Sequence, residues 1–438
     1  MNSRRDFVKK VGMMAMAASA PGFAAGMATA VVSCDSKTEP DPDPEPDPTP
    51  AEYLPDWREG YLDIHHIATG QGDCTFIICP DGTTMLVDAG DVGGNYGASG
   101  TPSVPDESKT PGEWIADYVN HFSKDLPVPG TLDYAWITHF HTDHIGNPNT
   151  AKAGTNGYKL GGITMVGEHV AIKKIIDRGW PDYSFPSRAA IEGESGGFWK
   201  DYYAFLNYRK DHQGTEIEKF ATGSNAQFVL KHKAAQYGDF SVRNIYANGI
   251  LWTGTGANAK TLYTASDVSD ENMHSCVIKM SYGSFSYFAG GDLSGYNHPN
   301  YASKKREIEV PVGQVAGKVT VLKANHHGTY DSTQPDFLRS LTPQTIVITV
   351  CHVLHPDAGP LSRMVDPLVY EGDRTIYTTR YTDGHKSKLG AAGNVIKPAG
   401  HIIVRVYAGG AKYRMFVLDS ETTDYPVIYQ TDEINVNE

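Results

Sequence analysis

The stretch Thr138-His139-Phe140-His141-Thr142-Asp143-His144-Ile145-Gly146-Asn147 places three histidines and an aspartate within six residues. It follows Asp133-Tyr134-Ala135-Trp136-Ile137-Thr138, a short apolar run rich in β-formers that reads as a buried strand, and Gly146 lets the chain turn away. Extended backbone points i and i+2 to one side, so His139 and His141 can grip one cation together. Asp143 and His144 lie beyond the strand end and can offer an oxygen and a nitrogen to a second cation. Imidazole and carboxylate without sulfur suit zinc first, and manganese or iron after it.

Working outward, further candidates fall at the ends of strand-like runs. Cys74 to Cys79 and Thr84 to Gly90 read as strands joined by the Pro80-Asp81-Gly82-Thr83 turn. Asp73 stands before the first and Asp88 at the end of the second. Asp88 reads either as an acid that orients a ligand histidine or as a turn cap. His65 and His66 lie inside an earlier strand and read as strand residues. Thr110-Pro111-Gly112-Glu113 opens a helix with a capping box and a first-turn proline. Its apolar residues Trp114, Ile115, Tyr118, Val119 and Phe122 recur at helical spacing. Strand, helix and strand then imply a parallel crossover, with the His cluster at a carboxyl end, where open α/β sheets place ligands.

Downstream, Asn272 to Asp292 reads as a hairpin that begins near His274 and ends on Gly290-Gly291-Asp292. Asp292 can reach two cations and His274 can complete the shell of the first. The strand-like run Val319 to Ala324 ends in Asn325-His326-His327-Gly328. Neighbouring side chains diverge, so one of this pair binds metal; His327, beside the glycine, is the choice, leaving His326 for substrate or outer-shell work. His355, in the loop after a Thr345 to Cys351 strand, reads either as a cleft residue or as a plain loop histidine. Ile402 to Tyr407 and Tyr413 to Leu418 form a closing hairpin.

Residues 148–260 read as an insertion placed to wall the cleft. Val170 to Ile176 and Phe198 to Tyr208 are expected to be helical. Phe228 to Leu230 and Ile250 to Trp252 are expected to be strand pieces. The aromatics Trp180, Tyr183, Phe198, Trp199, Tyr202 and Tyr203 would either pack as the insertion's own core or line a site for a cation or a ring.

Composition bounds the function. The chain has 438 residues, is 40% hydrophobic and 11% aromatic, and carries a formal net charge of −13. That suits a globular domain with a sizeable core and argues against coating nucleic acid. Residues 1–33 begin Ser3-Arg4-Arg5-Asp6-Phe7-Val8-Lys9 and continue as an apolar Ala/Met/Gly-rich run, a twin-arginine export leader. Val31-Val32-Ser33-Cys34 resembles a lipoprotein processing site, with Cys34 the lipidated residue; ordinary cleavage near Ala28-Thr29-Ala30 is the alternative. Residues 34–52, dominated by Pro alternating with acids, would be an extended tether, leaving 53–438 as the folded domain. Cys74, Cys79, Cys276 and Cys351 read as small buried hydrophobes.

The order Gly-Gln-Gly-Asp, Leu-Val-Asp-Ala-Gly, His-x-His-x-Asp-His, Gly-Asp and His-His-Gly resembles the metallo-β-lactamase superfamily. The likeness falls in the branch that includes the hydrolase domain of the ComEC competence proteins and phosphorylcholine esterase. The resemblance implies an α/β fold, an αββα sandwich, with a dinuclear zinc site at its edge. It implies that His139, His141 and His274 hold the first ion and Asp143, His144 and His327 the second, with Asp292 bridging. Asp143 and Asp292 would then carry the catalytic roles, and Asp73, Asp88, His326 and His355 would support them. Branch sequences tend to have Asn where this chain has His274. The expected activity is metal-dependent hydrolysis of a phosphodiester-type or other small-molecule substrate by an exported, membrane-anchored lipoprotein. A non-catalytic binding lipoprotein and an extracytoplasmic nuclease are the alternatives.

Overall fold

The computed structural model describes residues 52–93, 101–267, 270–295 and 307–437. The stretch expected to be an export leader, Cys34 and nearly all of the stretch expected to be a tether lie outside the described residues. No described helix is long and apolar enough to cross a membrane.

Eighteen described strands form two sheets. The first six are β1 (Leu62–His66), β2 (Thr75–Ile78), β3 (Thr84–Val87), β4 (Thr131–Trp136), β5 (Ala171–Asp177) and β6 (Glu216–Lys219), laid side by side in that order. The second sheet takes β7 (Phe240–Ala247), β8 (Ile250–Trp252), β9 (Ala259–Thr261), β10 (Val277–Tyr282), β11 (Phe285–Ala289), β12 (Val321–Lys323), β13 (Thr345–Ile348) and β14 (Thr375–Thr378). Its order is β14-β13-β12-β11-β10-β7-β8-β9. The chain then returns to the first sheet with β15 (His401–Val406), β16 (Lys412–Leu418), β17 (Val427–Gln430) and β18 (Ile434–Asn435).

Side-chain alternation builds the layers. On β3, Met85 and Val87 face the second sheet while Leu86 faces helices; on β11, Tyr287 faces the first sheet and Phe288 the opposite way. The inter-sheet core includes Ile64, Trp136, Ile278, Met280, Val321 and Val404. Outside the first sheet pack α1 (Pro111–Ser123), α3 (Gly162–His169) and α5 (Trp199–Gln213), through Ile115, Val166 and Phe205. Outside the second pack α6 (Glu309–Ala316), α7 (Pro335–Leu341) and α8 (Ala358–Val365), through Val312, Phe337 and Leu361. The result is a four-layer α/β/β/α sandwich with three apolar cores. Each fully buried large aliphatic or Phe side chain contributes roughly 1.5–3 kcal/mol, a reserve large enough to hold strained and like-charged groups at one edge.

That edge is set by strand direction. β3, β4, β5 and β6 are parallel neighbours, as are β11, β12, β13 and β14. Loops leaving β3, β4, β11, β12 and β13 therefore emerge together. The antiparallel β2 and β10 begin at that same edge, which brings Asp73 and the Glu271–His274 turn to it.

Three expectations need correction. Val170 to Ile176 is not helical: Ala171–Asp177 is β5, hydrogen-bonded to β4 on one side and β6 on the other. The apolar pairs Ala171-Ile172 and Ile175-Ile176 mimic helical spacing, but the open ladder of β4 decides the outcome. Phe228 to Leu230 is not a strand. The strand before the His cluster ends at Trp136, so His139 and His141 sit in the following loop. The stretch read as an insertion gives α3, β5, β6 and α5 to one half of the sandwich and β7 to β9 to the other. Its aromatics pack as core: Tyr183, Phe198, Trp199 and Tyr202 are buried, with Trp180 and Tyr203 against them. Tyr183 and Tyr202 donate to Asp177 Oδ2 at 2.7 and 2.9 Å.

Candidate metal centre

The loop after β4 is held from both sides. Backbone bonds from Asp73 N, Ala89 N and Asp91 N reach the carbonyls of Asp143, His144 and Thr142. The approach is so close that a Cβ on Gly90 would lie 1.6 Å from the Asp143 carbonyl oxygen, which only glycine permits. On the other flank, buried Glu271 accepts from Phe140 N at 2.9 Å and from Arg178 Nε at 2.8 Å. Arg178 also lies over the Phe140 ring, 4.6 Å from its centroid. The residue between the first two histidines is thus pinned by a buried ion pair.

Outer partners fix which nitrogen each imidazole turns inward. His144 Nδ1–H donates to Asp88 Oδ2 at 2.8 Å, and the same carboxylate accepts from Thr138 N and Thr138 Oγ1 at 2.8 Å each. His139 Nδ1–H donates to Thr138 Oγ1 at 3.2 Å. His327 Nδ1–H donates to the Thr349 carbonyl at 2.9 Å, and His274 Nδ1–H to Tyr263 Oη at 2.9 Å. His141 Nε2–H donates to Glu194 Oε2 at 3.3 Å. Left inward are His139 Nε2, His141 Nδ1, His144 Nε2, His274 Nε2 and His327 Nε2.

Two nitrogens each about 2.0–2.1 Å from a tetrahedral zinc stand roughly 3.3 Å apart. His139 Nε2 and His141 Nδ1 are 3.2 Å apart. Asp292 Oδ2 lies 3.1 Å from His144 Nε2, 3.3 Å from His327 Nε2 and 3.9 Å from His139 Nε2. Asp143 Oδ2 lies 3.2 Å from His327 Nε2 and 3.9 Å from His144 Nε2. His139, His141 and Asp292 form one group able to hold a cation; Asp73, His144, Asp292 and His327 form a second. Buried His274 Nε2, Asp292 Oδ1 and Asp73 Oδ1 lack hydrogen-bond partners. A cluster of imidazole nitrogens and carboxylates at coordination spacing, with orphaned atoms, fits divalent cations.

Charge at these residues follows from packing. Burial works against the Asp292 carboxylate, but His144 and His327 hold it well below the usual range. Burial likewise opposes charge on His144, yet Asp292, Asp88 and Asp143 push it well above its ordinary value. His139, buried and beside His144, is driven well below. Mutual stabilisation of acids and imidazoles is what a bound cation would replace.

Other expected residues fall as follows. His326 is turned away: Nδ1–H donates to Asp331 Oδ1 at 2.7 Å, and Nε2 accepts from Asn272 at 3.1 Å. Left-handed backbone at both residues, φ 46° at His326 and 51° at His327, sends the two rings apart. His355 is buried and stacks on His327, with ring centroids 4.8 Å apart. His274 lies outside both cation groups, and outside a third formed by His327, Cys351 and His355; its Nε2 is buried without a hydrogen-bond partner. Asp73 Oδ2 is paired with buried Lys323 and accepts from Thr349 Oγ1 at 3.1 Å.

Sequence reading missed Lys323, Glu194, the Arg178–Glu271 pair and Tyr263. It also took Cys351 for a plain hydrophobe. Cys351 is buried, but its Sγ lies 3.6 Å from Asp143 Oδ2 and 3.3 Å from His355 Nδ1. The signal available for Cys351 was its place at a strand end four residues before His355.

Because Asp88 fixes His144, Asp88→Asn is expected to weaken zinc binding about 10–100-fold. Zinc titration of the ion-free chain against a chelator checks it; an unchanged affinity would remove Asp88 from the site.

No family model matches the chain. No curated protein matches it either. Among solved structures, a protein from Parabacteroides distasonis ATCC 8503, whose assignment as a metal-dependent hydrolase is itself provisional, matches at 11% identity. The match covers 77% of this chain and 91% of that one, with a TM-score of 0.28; likeness that distant carries no argument about the site.

Proposed function

We propose that the chain is a metal-dependent hydrolase that uses two zinc ions at the edge of the sandwich to activate water. One observation carries this reading: four imidazoles, of His139, His141, His144 and His327, with outward nitrogens engaged turn their other nitrogens inward, around Asp143 and Asp292. A bound pair of cations would lower the pKa of water toward neutrality and polarise a phosphoryl or carbonyl oxygen.

The chain's own residues would do the rest. His139 and His141 form the first position; Asp143, His144 and His327 form the second. Asp292 Oδ2, within reach of nitrogens from both, spans them. Asp143 has a partly exposed side chain and His141 more so, at 14% and 24%, which puts the opening to solvent beside them. Asp143 is therefore placed to accept the proton that water loses on attack. His326, held by Asp331 through Nδ1 and by Asn272 through Nε2, would brace the loop that carries His327.

A phosphodiester-type substrate is preferred over an amide or lactone. The preference rests on the sequence resemblance to the ComEC and phosphorylcholine esterase branch. The leader and Cys34 support an exported chain tethered to a membrane by lipid. Assays of the full chain with bis-p-nitrophenyl phosphate, p-nitrophenyl phosphorylcholine and nitrocefin test the substrate class. Turnover of the phosphodiesters, abolished by chelator and restored by zinc, is expected. Turnover of nitrocefin alone would overturn the preference.

A further inference from the structure

The two proposed cation positions are unequal in charge. The second is ringed by Asp143 and Asp292, with Asp73 beside it. The first is built from the imidazoles of His139 and His141, and its nearest carboxylate among the cation groups is Asp292, 3.9 Å from His139 Nε2. A dication held by imidazoles alone gains from a carboxylate on the far side of a ligand ring, which orients the ring and raises its basicity.

Resting on the metal reading above, we propose that Glu194 is a positioning residue for the first cation and acts through His141. His141 Nδ1 faces His139 Nε2 at 3.2 Å, so its other nitrogen must point outward, and Glu194 Oε2 meets it there at 3.3 Å. The carboxylate is 44% exposed, but the backbone that carries it is fixed. Glu194 is the last residue of α4 (Arg188–Glu194), between buried Ile191 and buried Ser195. Ser195 Oγ accepts from Trp199 N at 3.1 Å, and Gly197 N donates to the Glu192 carbonyl at 2.9 Å. Phe198, next along, packs on the turn that ends the histidine motif; a Cβ on Gly146 would lie 2.7 Å from its ring. Lys200, the nearby cation, is paired with Glu192 at 3.1 Å. The segment read from sequence as a wall thus delivers one carboxylate to the motif across a fixed turn.

The test is zinc and cobalt titration of ion-free full-length wild type, Glu194→Gln and Glu194→Ala, followed by calorimetry and by the cobalt absorption spectrum. Wild type is expected to load in two steps. Glu194→Ala should weaken one step about 10–100-fold and alter the cobalt band of that position alone. Glu194→Gln keeps a carbonyl acceptor and should fall between. Two unchanged steps in Glu194→Ala, or equal weakening of both, would overturn the role of Glu194 while leaving the metal reading intact. A wild type that binds no cation would overturn the metal reading itself, and with it this role.

Discussion

Asp292→Asn is expected to reduce hydrolysis about 1000-fold and to lower the zinc load of the chain. The size follows from the loss of several kcal/mol of transition-state stabilisation when a two-cation site is broken. Asn keeps the side chain's shape, so the protein should fold. What it removes is the one carboxylate, among the described residues, that approaches nitrogens of both proposed positions, at 3.1, 3.3 and 3.9 Å. An amide cannot hold two cations together, because it offers one neutral oxygen. Steady-state kinetics with a phosphodiester and zinc analysis by atomic emission check the expectation. Full rate with full zinc would contradict it.

The second large effect is on stability. Arg178→Leu should destabilise the fold by about 3–5 kcal/mol, the range for leaving one member of a buried ion pair uncompensated. Arg178 is fully buried, donates to Glu271 at 2.8 and 2.5 Å, and also satisfies the Phe185 carbonyl and Asn248. Without it, Glu271 keeps only the Phe140 amide among these partners, and the backbone between His139 and His141 loses its brace. Zinc affinity should fall in step. Urea denaturation of the ion-free protein gives the first number and chelator competition the second. Combining Arg178→Leu with Glu271→Leu should recover part of the stability, since no lone buried charge remains. A single variant that loses less than about 1 kcal/mol would show that the pair is not buttressing the motif.

These two cases mark the boundary of what the sequence discloses. His139, His141, Asp143 and His144 are legible because neighbouring ligands need no fold to be brought together. Asp292 and His327 are legible because each ends a β-branched or aromatic run beside glycine. The αββα sandwich was legible only through the order of those motifs, which resembles that of a known superfamily. Arg178 and Glu271 were not, because they meet across 93 residues, and Lys323 and Asp73 across 250. Nothing local marks such pairs; only the sheet order makes them neighbours. Glu194 is hidden for the same reason. The strand β5 was misread because Lys173-Lys174 between apolar pairs imitates a helix face, while its pairing with β4 is a tertiary fact. The choice between His326 and His327 became clear only through backbone: two successive left-handed residues turn one ring toward Asp331 and the other toward Asp143.

The most direct test of the central claim is anomalous diffraction at the zinc edge from crystals of the zinc-loaded chain. The account predicts two peaks: one touching His139 Nε2 and His141 Nδ1, the other among Asp143, His144 and His327, with Asp292 between them. An absence of peaks at these atoms, with zinc bound elsewhere or not at all, would contradict it.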